Sequence, residues 1–583
     1  MNILGLVCTS HDAGLALLKD GQPSLILEEE RLNRIKHTIN YPRLAVEKLL
    51  GPDSAMSLDD IDVITCPWNM YKIRRTIFRA VTAQMPASLN LLRNAAHPTH
   101  STGLLNVPLR LRFGLRRQFK RLRLPPIIDV GHHESHAAIY FASPFEDATI
   151  LVVDGYGDDG GSSAWTGQGH KIQRLWTDTM FDSLGMLYTA VTDHIGFKFT
   201  EEGTVMALAA LGSPAYKDKF KDIIQLLPNG RVAIDKSFIS YDTHGLLKPF
   251  KQKFYGRFGP RRLRSEPLTE HHHAIAWALQ HWTEEALLHM VRELARTQKS
   301  RNLVISGGVA LNCVANARIR NETDFHNLWV PPVASDTGAP LGSTLYHWHH
   351  TLGNKREFKL THAYYGLEFT DAEIVRALQD AGLAYERMDE GPLLKRVARD
   401  LSEQKIVGWF QGRAEIGPRA LGNRSILSSA SSNEMKDLIN ARIKHREAFR
   451  PFAPVVLEER LKDYFDYDQP DPFMTMAPKI HANKIAEIPA AAHVDGTGRI
   501  QTIDRTSNPR YYGVIEEYAK ITGTPVILNT SFNRQEPVVN APAEAISCYL
   551  RTDMDRVVLG NYYVSDRNEG AIKRALERFQ NKT

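Results

Sequence analysis

Residues 2–31, NILGLVCTSHDAGLALLKDGQPSLILEEER, contain three apolar runs separated by two polar turns. The segment KDG between the second and third runs is typical of a tight hairpin turn, and apolar runs of this length predict strands. The stretch therefore predicts a three-stranded meander at the N-terminus. Further apolar runs predict short buried strands at 60–66, 127–130 and 148–153. Helical periodicity lies between and beside them, at 42–50, 71–95 and 133–141.

The alternation of strands and helices continues and predicts a mixed α/β sheet followed by a second α/β half. Residues 269–298 have helical periodicity, NLVISGG at 302–308 predicts a strand, and another helix begins near Leu311. A polar stretch around 350–360 then marks a domain boundary. We therefore predict domains at 1–355 and 356–583, with a last segment that can pack back on the first domain. No internal repeat stands out in the sequence.

Composition limits the class of protein. The 583 residues are 43% apolar and 24% charged, as in soluble globular proteins, which excludes a disordered chain. The four cysteines stand singly with no CxxC spacing, which argues against disulfides or a thiolate zinc site. The start lacks the pattern of a signal peptide and no apolar run reaches about 18 residues. We expect a cytoplasmic protein.

Segment 72–124 is strongly basic. Between Asp62 and Asp129 there are twelve Lys and Arg residues and no acid. Its part LRLRFGLRRQFKRLRL at 109–124 mixes Leu and Phe with Arg. A membrane-surface helix, an amphipathic or phosphate-bearing substrate, nucleic acid and a solvated helical insertion all fit this pattern.

The segment VGHHESHAA at 130–138 places His132 and His136 four residues apart, on one face of a predicted helix. Such a pair can share a metal ion or can be a hydrogen-bonded feature of a helix start. Asp154, in VVDGYGDDGG, and Asp336, in VASDTGAP, each follow an apolar run and precede small residues. Both positions also suit a turn or N-cap residue. Together the four side chains form a mixed N/O set that suits iron or zinc better than calcium.

Glycines follow two of the predicted strands at positions that suit a nucleotide. Gly155 and Gly157 follow Asp154, at the strand end where open α/β sheets bind ligands and where a carboxylate can hold magnesium on phosphates. Gly307 and Gly308 leave backbone amides available, and Asn312 can bond a ribose or base. The spacing matches neither a Walker loop nor GxGxxG.

The C-terminal part is rich in cations held among Gly and Pro residues, as phosphate or carboxylate recognition requires. The predicted anion-binding residues are Arg413, Arg419, Arg424, Lys444, Arg446, Arg450 and Arg499, with Asn529 and Ser531 as polar donors.

In their order along the chain, the motifs SHDAG, EEERLNRIKH, GHHESHAA, VVDGYGD, SGGVALN, GRAEIGPRALGNRSIL, REAFRPFAP, HVDGTGRIQT and LNTSFN resemble those of the O-carbamoyltransferases of the NodU, CmcH and TobZ type. The resemblance runs from residue 2 to about 560. It implies an N-terminal domain of the actin and sugar-kinase (ASKHA) type, related to threonylcarbamoyl transferases. It also implies a C-terminal YrdC-like α/β domain.

The resemblance further implies an activity and its cofactors. Carbamoyl phosphate is cleaved to carbamate in the C-terminal domain, and carbamate reacts with ATP (with Mg²⁺) in the N-terminal domain to give carbamoyl adenylate and pyrophosphate. A hydroxyl of a small-molecule acceptor, a natural product or a glycolipid-like compound, then takes the carbamoyl group. By matching position, His132, His136, Asp154 and Asp336 ligate one Fe²⁺ or Zn²⁺ ion.

We place His11, Asp12 and Lys36 in the catalytic set. His11 lies in the first hairpin loop and is expected to act as general base for the acceptor hydroxyl, while Lys36 and Arg34 are expected to bind anion between the domains. Two departures from the family pattern affect individual contacts. Thr204 replaces a lysine and Ala207 a glycine in EGTVMALAALG, and SFNRQEP lacks a glycine before Glu-Pro.

Two other functions fit parts of the sequence. A tRNA threonylcarbamoylation enzyme suits the related folds and the basic segment, although the motif EIGPRALGNRSIL is that of the small-molecule enzymes, so no nucleic acid is expected. A non-catalytic nucleotide-binding sensor suits the N-terminal motifs but leaves the C-terminal cations without a role.

Overall fold

The computed structural model describes residues 1–8, 11–93, 107–447, 449–565 and 567–580. The described chain folds into two compact units, Met1–Asn33 with His37–Leu360 and Arg34–Lys36 with Thr361–Thr583. No helix among the described residues is long and apolar enough to cross a membrane. The four cysteines are buried and none forms a disulfide.

The first unit contains twelve strands in the described ranges. They are β1 (Asn2–Val7), β2 (Gly14–Lys19), β3 (Gln22–Glu28), β4 (Val63–Cys66), β5 (Ile127–Asp129), β6 (Asp147–Val153), β7 (Ser162–Gln168), β8 (Lys171–Thr177), β9 (Ile224–Leu227), β10 (Arg231–Ile234), β11 (Asn302–Ser306) and β12 (Asn327–Trp329). The predicted meander is confirmed, because β1, β2 and β3 pair antiparallel in sequence order.

The helices of the first unit lie between these strands. They are α1 (Glu30–Asn33), α2 (Arg43–Leu50), α3 (Met70–Ala83), α4 (Asn90–Arg93), α5 (Val107–Phe119), α6 (His132–Ala138), α7 (Leu184–His194), α8 (Glu202–Ala209), α9 (Lys217–Lys221), α10 (Tyr241–His244), α11 (Gln252–Phe258), α12 (Glu270–Thr297), α13 (Cys313–Glu322) and α14 (Ala339–Leu345). The helix predicted at 71–95 is shorter than expected. It stops before Pro86, which cannot donate a helical hydrogen bond. Its last two residues, and the part of the basic segment at 94–106, lie outside the described residues.

Two five-stranded sheets replace the single mixed sheet expected before residue 154. Their orders are β3-β2-β1-β4-β5 and β8-β7-β6-β11-β12. In each, the first three strands are antiparallel and the last two run parallel to the central strand. The sheets therefore share one strand order and the same pattern of strand directions. The sequence revealed no repeat, because the shared feature is strand order rather than residue identity.

Helix α14 packs tightly between the first sheet and helix α6, and glycines permit both contacts. A Cβ on Gly5 of β1 would lie 2.2 Å from the carbonyl oxygen of Pro340, and one on Gly342 would lie 1.9 Å from that of Ser135. Only a residue without a side chain allows such an approach of backbones. These contacts fix α6 and the start of α14 relative to each other.

The second unit is built on one mixed eight-stranded sheet in the described ranges, with the order β13-β20-β19-β14-β15-β18-β16-β17. The strands are β13 (Glu386–Arg387), β14 (Val407–Phe410), β15 (Arg424–Ser429), β16 (Ala453–Leu457), β17 (Gln501–Ile503), β18 (Val526–Ser531), β19 (Arg556–Leu559) and β20 (Tyr562–Val564). Its helices are α15 (Asp371–Ala381), α16 (Glu390–Ser402), α17 (Asn433–Ile439), α18 (Leu461–Tyr464), α19 (Pro509–Thr522), α20 (Pro542–Arg551) and α21 (Glu569–Gln580). The last segment, β19 to α21, belongs to the second unit, since β19 pairs with β14 and α21 packs on α20.

Candidate functional site

In the first unit, polar residues follow the carboxyl ends of the parallel strands in both sheets. His132 comes soon after β5, Asp154 directly follows β6, Gly307 directly follows β11, and Asp336 lies beyond β12. Ligands of open α/β sheets bind at such ends, because the strand directions bring separate loops together there. The sheet topology thus explains how residues more than 200 positions apart come to share a site.

His132, His136, Asp154 and Asp336 form one buried cluster. The Nε2 atom of His132 lies 3.1 Å from Asp154 Oδ2, 3.3 Å from Asp336 Oδ1 and 3.2 Å from His136 Nε2. The Nε2 atom of His136 lies 3.7 Å from Asp154 Oδ2 and 3.5 Å from Asp336 Oδ1. Each side chain therefore turns one potential ligand atom toward a common centre.

The outward atoms of three of these side chains are held by the protein. The Nδ1–H group of His132 donates to the carbonyl oxygen of Pro67 at 3.3 Å, which leaves its Nε2 atom unprotonated when the ring is neutral. Asp154 Oδ1 accepts a 2.8 Å hydrogen bond from the backbone N–H of Gly308. The Nδ1 atom of His136 lies 3.4 Å from Ser306 Oγ, which itself bonds a carbonyl oxygen. Such outer contacts fix the tautomer and orientation of metal ligands.

The spacing of the ligand atoms fits a tetrahedral metal ion. An ion about 2.1 Å from four tetrahedral N and O ligands requires those atoms to lie about 3.4 Å apart. The five separations above run from 3.1 to 3.7 Å. Asp336 Oδ1 is buried, and its polar neighbours are the Nε2 atoms of His132 and His136 at 3.3 and 3.5 Å. A buried carboxylate oxygen of this kind is costly unless a cation neutralises it.

His11 and Asp12, predicted as catalytic, lie beside this cluster in the β1–β2 turn. His11 Nδ1 is 2.9 Å from Asp12 Oδ2, and the second oxygen of Asp12 is 2.7 Å from Nδ1 of His37. Burial alone would lower the pKa of His11, but the carboxylates of Asp336 and Asp12 raise it to about 10. Asp12 therefore orients two imidazoles, and the second one, His37, was absent from the sequence-based set.

A layer of charged residues behind α6 was also missed from the sequence. Asp158 Oδ2 accepts the backbone N–H groups of His132 and Asn69, at 3.1 and 3.0 Å. Lys72 forms salt bridges with Glu134 and Asp159. The acids of this layer stand in the motifs that revealed the histidines and Asp154, yet nothing in those motifs separates supporting acids from ligating ones.

In the second unit, the predicted cations gather in part. Burial, and then the charges of Arg450 and Arg499, lower the pKa of Arg446, so these guanidinium groups act on one another electrostatically. Arg446 Nε donates to Asn440 Oδ1 at 2.8 Å. Arg446 also lies over the ring of Phe452, with its guanidinium carbon 4.8 Å from the ring centre. Because guanidinium groups repel one another and stay charged, such a cluster is stabilised by an anion.

Lys444 lies close enough to Arg446 to feel its charge, and it bonds to the end of β18 and the residues after it. Its ammonium group is buried and donates to Ser531 and to Asn533, at 2.8 Å for both oxygens of Asn533. Burial and the neighbouring Arg446 lower the pKa of Lys444 well below its ordinary value. Ser531 Oγ in turn donates to Asn533 Oδ1 at 2.8 Å.

Comparisons with known proteins agree with the two-part arrangement. The family model described as carbamoyltransferase N-terminus matches residues 2–345, and the one described as carbamoyltransferase C-terminus matches residues 398–566.

The chain belongs to the carbamoyltransferase family.

Its relatives span nearly its whole length. An uncharacterized protein, sll1178, of Synechocystis is 36% identical, covering 97% of this chain and 96% of its own. Nodulation protein NolNO of Sinorhizobium fredii is 35% identical over 96% of this chain and 79% of its own, and nodulation protein U of the same species is 29% identical over 91% and 94%. Among solved structures, the activator of the 2-hydroxyisocaproyl-CoA dehydratase from Clostridium difficile covers 60% of the chain at 14% identity with a TM-score of 0.29, a likeness too weak to assign a fold.

Some residues predicted to bind substrates of this carbamoyltransferase have structural roles. Arg424 is buried, and its guanidinium donates to the backbone carbonyl oxygens of Leu367, Gln411, Gly412, Asn423 and Asn540. Its guanidinium carbon lies 3.7 Å from the centre of the Phe410 ring. In this structure the donors of Arg424 hold five backbone carbonyl oxygens, and its binding of carbamoyl phosphate stays a prediction.

Other residues predicted to bind an anion also form hydrogen bonds within the protein. Arg413 donates to the carbonyl oxygens of Gly366 and Tyr365, at 3.0 and 2.9 Å, and Arg419 is half-buried. Asn529 donates to Ala420 O and to Gln501 Oε1, both at 2.9 Å. Arg413 and Asn529 therefore order loops around the sheet.

The segment Arg34–Lys36 packs with the second unit. Arg34 donates to the carbonyl oxygens of Pro537 and Val538 and lies 3.1 Å from Glu544. The guanidinium group of Arg34 thus forms its hydrogen bonds and its ion pair within the protein. Lys36 is exposed, and its positive charge contributes to the lowered pKa of Lys444.

The predicted nucleotide residues lie at the ends of β6 and β11. Gly307 has a φ of 93°, and its Cβ would lie 2.3 Å from the carbonyl oxygen of Val153, so glycine is required there. A Cβ on Gly155 would meet no described atom within 4 Å, whereas one on Gly157 would meet the His133 ring at 2.5 Å. Gly155 therefore faces open space beside Asp154, and Gly157 belongs to the packing.

Asn312 is used within the protein. It accepts a 3.1 Å hydrogen bond from Ala315 N–H at the start of α13, and its amide pairs with Gln280 at 2.9 and 3.1 Å. Its predicted contact with a ribose or base would require this amide pair to open.

Proposed function

We propose that this carbamoyltransferase transfers a carbamoyl group from carbamoyl phosphate to an acceptor hydroxyl at the expense of ATP. Carbamoyl phosphate and water first give carbamate and phosphate. Carbamate and ATP then give carbamoyl adenylate and pyrophosphate. Finally the acceptor oxygen bonds to the carbamoyl carbon while AMP leaves, and the hydroxyl proton passes to a base. The acceptor class is a hydroxylated small molecule, a natural product or glycolipid-like compound.

The observation that carries the proposal is the buried cluster of His132, His136, Asp154 and Asp336. Its ligand atoms, 3.1 to 3.7 Å apart, suit Fe²⁺ or Zn²⁺. An ion bound there would act as a Lewis acid toward phosphate or carbamoyl oxygens. The backbone amide of Gly308 fixes Asp154, and the open space beside Gly155 offers room for the nucleotide phosphates and their Mg²⁺.

His11 is the proposed base for the acceptor hydroxyl. Asp12 holds its Nδ1 atom at 2.9 Å, which points the opposite ring nitrogen away from Asp12. A base must be neutral before it accepts a proton, whereas Asp336 and Asp12 raise the pKa of His11 to about 10. A dication among the four ligands would offset the charge of Asp336, and so lower that pKa toward the working range.

In the second unit, Arg446, Arg450 and Arg499 are proposed to bind the phosphate of carbamoyl phosphate. Guanidinium groups match phosphate oxygens in pairs, and binding would relieve their mutual repulsion. Lys444 positions Ser531 and Asn533 beside them through its buried ammonium group. The YrdC-like character of this unit belongs to the same proposal.

The test is to mix the purified protein with ATP, Mg²⁺ and carbamoyl phosphate and to measure pyrophosphate and carbamoyl adenylate by mass spectrometry. We expect adenylate with the native chain, none with His132→Ala, and a higher KM for carbamoyl phosphate with Arg446→Met. His133→Gln is the matched control, because His133 turns away and contacts Ser163 Oγ at 2.7 Å. A rate of pyrophosphate release that does not depend on carbamoyl phosphate would refute the proposed reaction.

The two rival functions predict different results in the same assay. A threonylcarbamoylation enzyme would need threonine as a substrate and would bind tRNA with a steep salt dependence. A nucleotide sensor would bind ATP and release no pyrophosphate.

A further inference from the structure

Helix α5 (Val107–Phe119) has one buried face and one face open to solvent. Val107, Leu111 and Leu115 recur at i, i+4 and i+8 and are fully buried, so the helix already has its core-facing side. The exposed side chains on the other side are Leu109, Arg110, Arg112, Phe113, Arg116 and Arg117. No acid interrupts this face.

Apolar side chains stand at the centre of the exposed face. Leu109 is 59% exposed and Phe113 is 68% exposed, and they lie one helical turn apart. Leu122, just beyond the helix, is 83% exposed. Since α5 buries three other aliphatic residues, these exposed ones are not needed for the core.

The cations on this face form no close ion pairs. Arg110, Arg112, Arg116 and Arg117 form no salt bridge with any residue in the described ranges, and only Arg112 acts on an acid there, since its charge opposes the effect of burial on the pKa of Asp129. The nearest paired cation of the stretch is Arg121, whose partner Asp59 lies on the exposed surface. The positive charge of the helix is therefore available to an external anion.

Helix α3 carries the same combination of side chains. Tyr71 and Phe78 are 74% and 69% exposed, and Arg74 and Arg75 lie between them on the exposed side of the helix. Ile73 is the residue that this helix buries. Two helices of one acid-free stretch thus present aromatic or aliphatic groups among guanidinium groups.

We propose that the exposed face of α5 docks the protein on an anionic lipid bilayer. A bilayer offers negative head groups at the surface and hydrocarbon a few ångström below, which is what Arg flanking Leu109 and Phe113 can use. An acidic protein surface would complement the Arg residues, but the bilayer also takes up the exposed Leu109 and Phe113 without a matching pocket. Nucleic acid explains the Arg residues but gives no role to exposed Leu side chains. The inference does not depend on the carbamoyl reaction.

The experiment is flotation of the full-length protein with lipid vesicles. We expect binding to phosphatidylcholine vesicles that contain about one third phosphatidylglycerol, little binding to pure phosphatidylcholine, and weaker binding as salt rises. The variant Arg110→Gln with Arg117→Gln should bind about 25-fold more weakly, at about fivefold per charge. The variant Leu109→Ser with Phe113→Ser should have an affinity for the vesicles that is lower by about tenfold or more.

Matched controls remove the same groups elsewhere. Arg376→Gln with Lys395→Gln removes two exposed charges from the second unit, and Val494→Ser with Ile521→Ser removes two exposed apolar side chains. Both controls should bind as the native protein does, and circular dichroism should show native folding for all variants.

Three outcomes would overturn the proposal. One is equal binding of the native protein to neutral and anionic vesicles, or binding to neither. Another is a loss of binding in the α5 charge variant with none in the apolar variant, which would show that nothing inserts. The third is tighter binding to a mixed-sequence nucleic acid duplex than to the vesicles.

Discussion

Replacing Gly342 by alanine should disturb the candidate metal site without touching any ligand. The added Cβ would lie 1.9 Å from the carbonyl oxygen of Ser135 in α6, whereas real Cβ atoms keep at least 3.0 Å from such an atom. Helices α14 and α6 must therefore move apart by about 1.1 Å, from 1.9 to 3.0 Å. Helix α6 carries both histidines, and α14 follows directly after the turn that holds Asp336.

A shift of that size is about half of a metal–ligand bond of about 2.1 Å. We expect affinity for Zn²⁺, measured by titration of the metal-free protein, to fall at least about tenfold. Overpacking should also cost about 1–3 kcal/mol of unfolding free energy, which lowers the melting temperature by about 2–6 °C in calorimetry.

Gly256→Ala in α11 is the matched control, because a Cβ there would meet no described atom within 4 Å. Alanine is the better helix former, so this variant should be more stable by about 0.5–1 kcal/mol and should bind the metal normally. If Gly342→Ala bound Zn²⁺ with native affinity and melted at the native temperature, the contact between α14 and α6 would not set the ligand spacing.

Three further predictions concern single side chains. His132→Ala should abolish stoichiometric metal binding in elemental analysis while His133→Gln retains it, and loss in both would argue for general misfolding of α6. Arg424→Lys should lower the free energy of unfolding by at least about 3 kcal/mol, because buried carbonyl oxygens lose their donors. Arg446→Lys should change stability little and raise the KM for carbamoyl phosphate about tenfold. The reverse pattern, measured by urea titration and by kinetics, would exchange the roles of the two residues. Burial lowers the pKa of His194 to about 4, so between pH 6.5 and 4 the unfolded chain binds a proton that the folded chain does not, and acidification over that window should cost about 3 kcal/mol in urea unfolding. His194→Gln should flatten this slope, and an unchanged slope would assign it to other groups.

The elements that were predicted well are those whose pattern is local. The meander of β1 to β3 is a run of apolar segments joined by short polar turns, and the long helix α12 (Glu270–Thr297) differs by one residue at each end from the predicted 269–298. The duplication of the sheet could not be predicted in this way. Parallel strands such as β6 and β11 pair across 150 residues, and no local pattern states which strands will be neighbours.

At the candidate site, residue type, spacing and the family resemblance together predicted the four residues that form the buried cluster, but not the contacts of the arginines. Two imidazoles at i and i+4 must share a helix face, so their proximity rested on geometry that the sequence contains, while the addition of Asp154 and Asp336 rested on the resemblance. Arg424 and Arg446 look alike in sequence, since both stand in cation-rich segments near Gly or Pro. Only the fold decides that one donates to five carbonyl oxygens, while the other donates to Asn440 and Pro451 and feels the charges of two more guanidinium groups.

The same distinction explains why Asp12 and His37 act together although only Asp12 was predicted. Asp12 has a φ of 66°, an uncommon conformation for a residue other than glycine, and this turn places its two oxygens toward different imidazoles. His37 lies 25 residues away, and its backbone N–H donates to Glu30 at 2.8 Å. If the strained turn serves to aim His11, Asp12→Asn should shift the pH dependence of carbamoyl transfer, since the amide no longer stabilises a protonated imidazole. His37→Asn should shift that profile less than Asp12→Asn does, because His37 contacts the carboxylate and acts on His11 only through its charge.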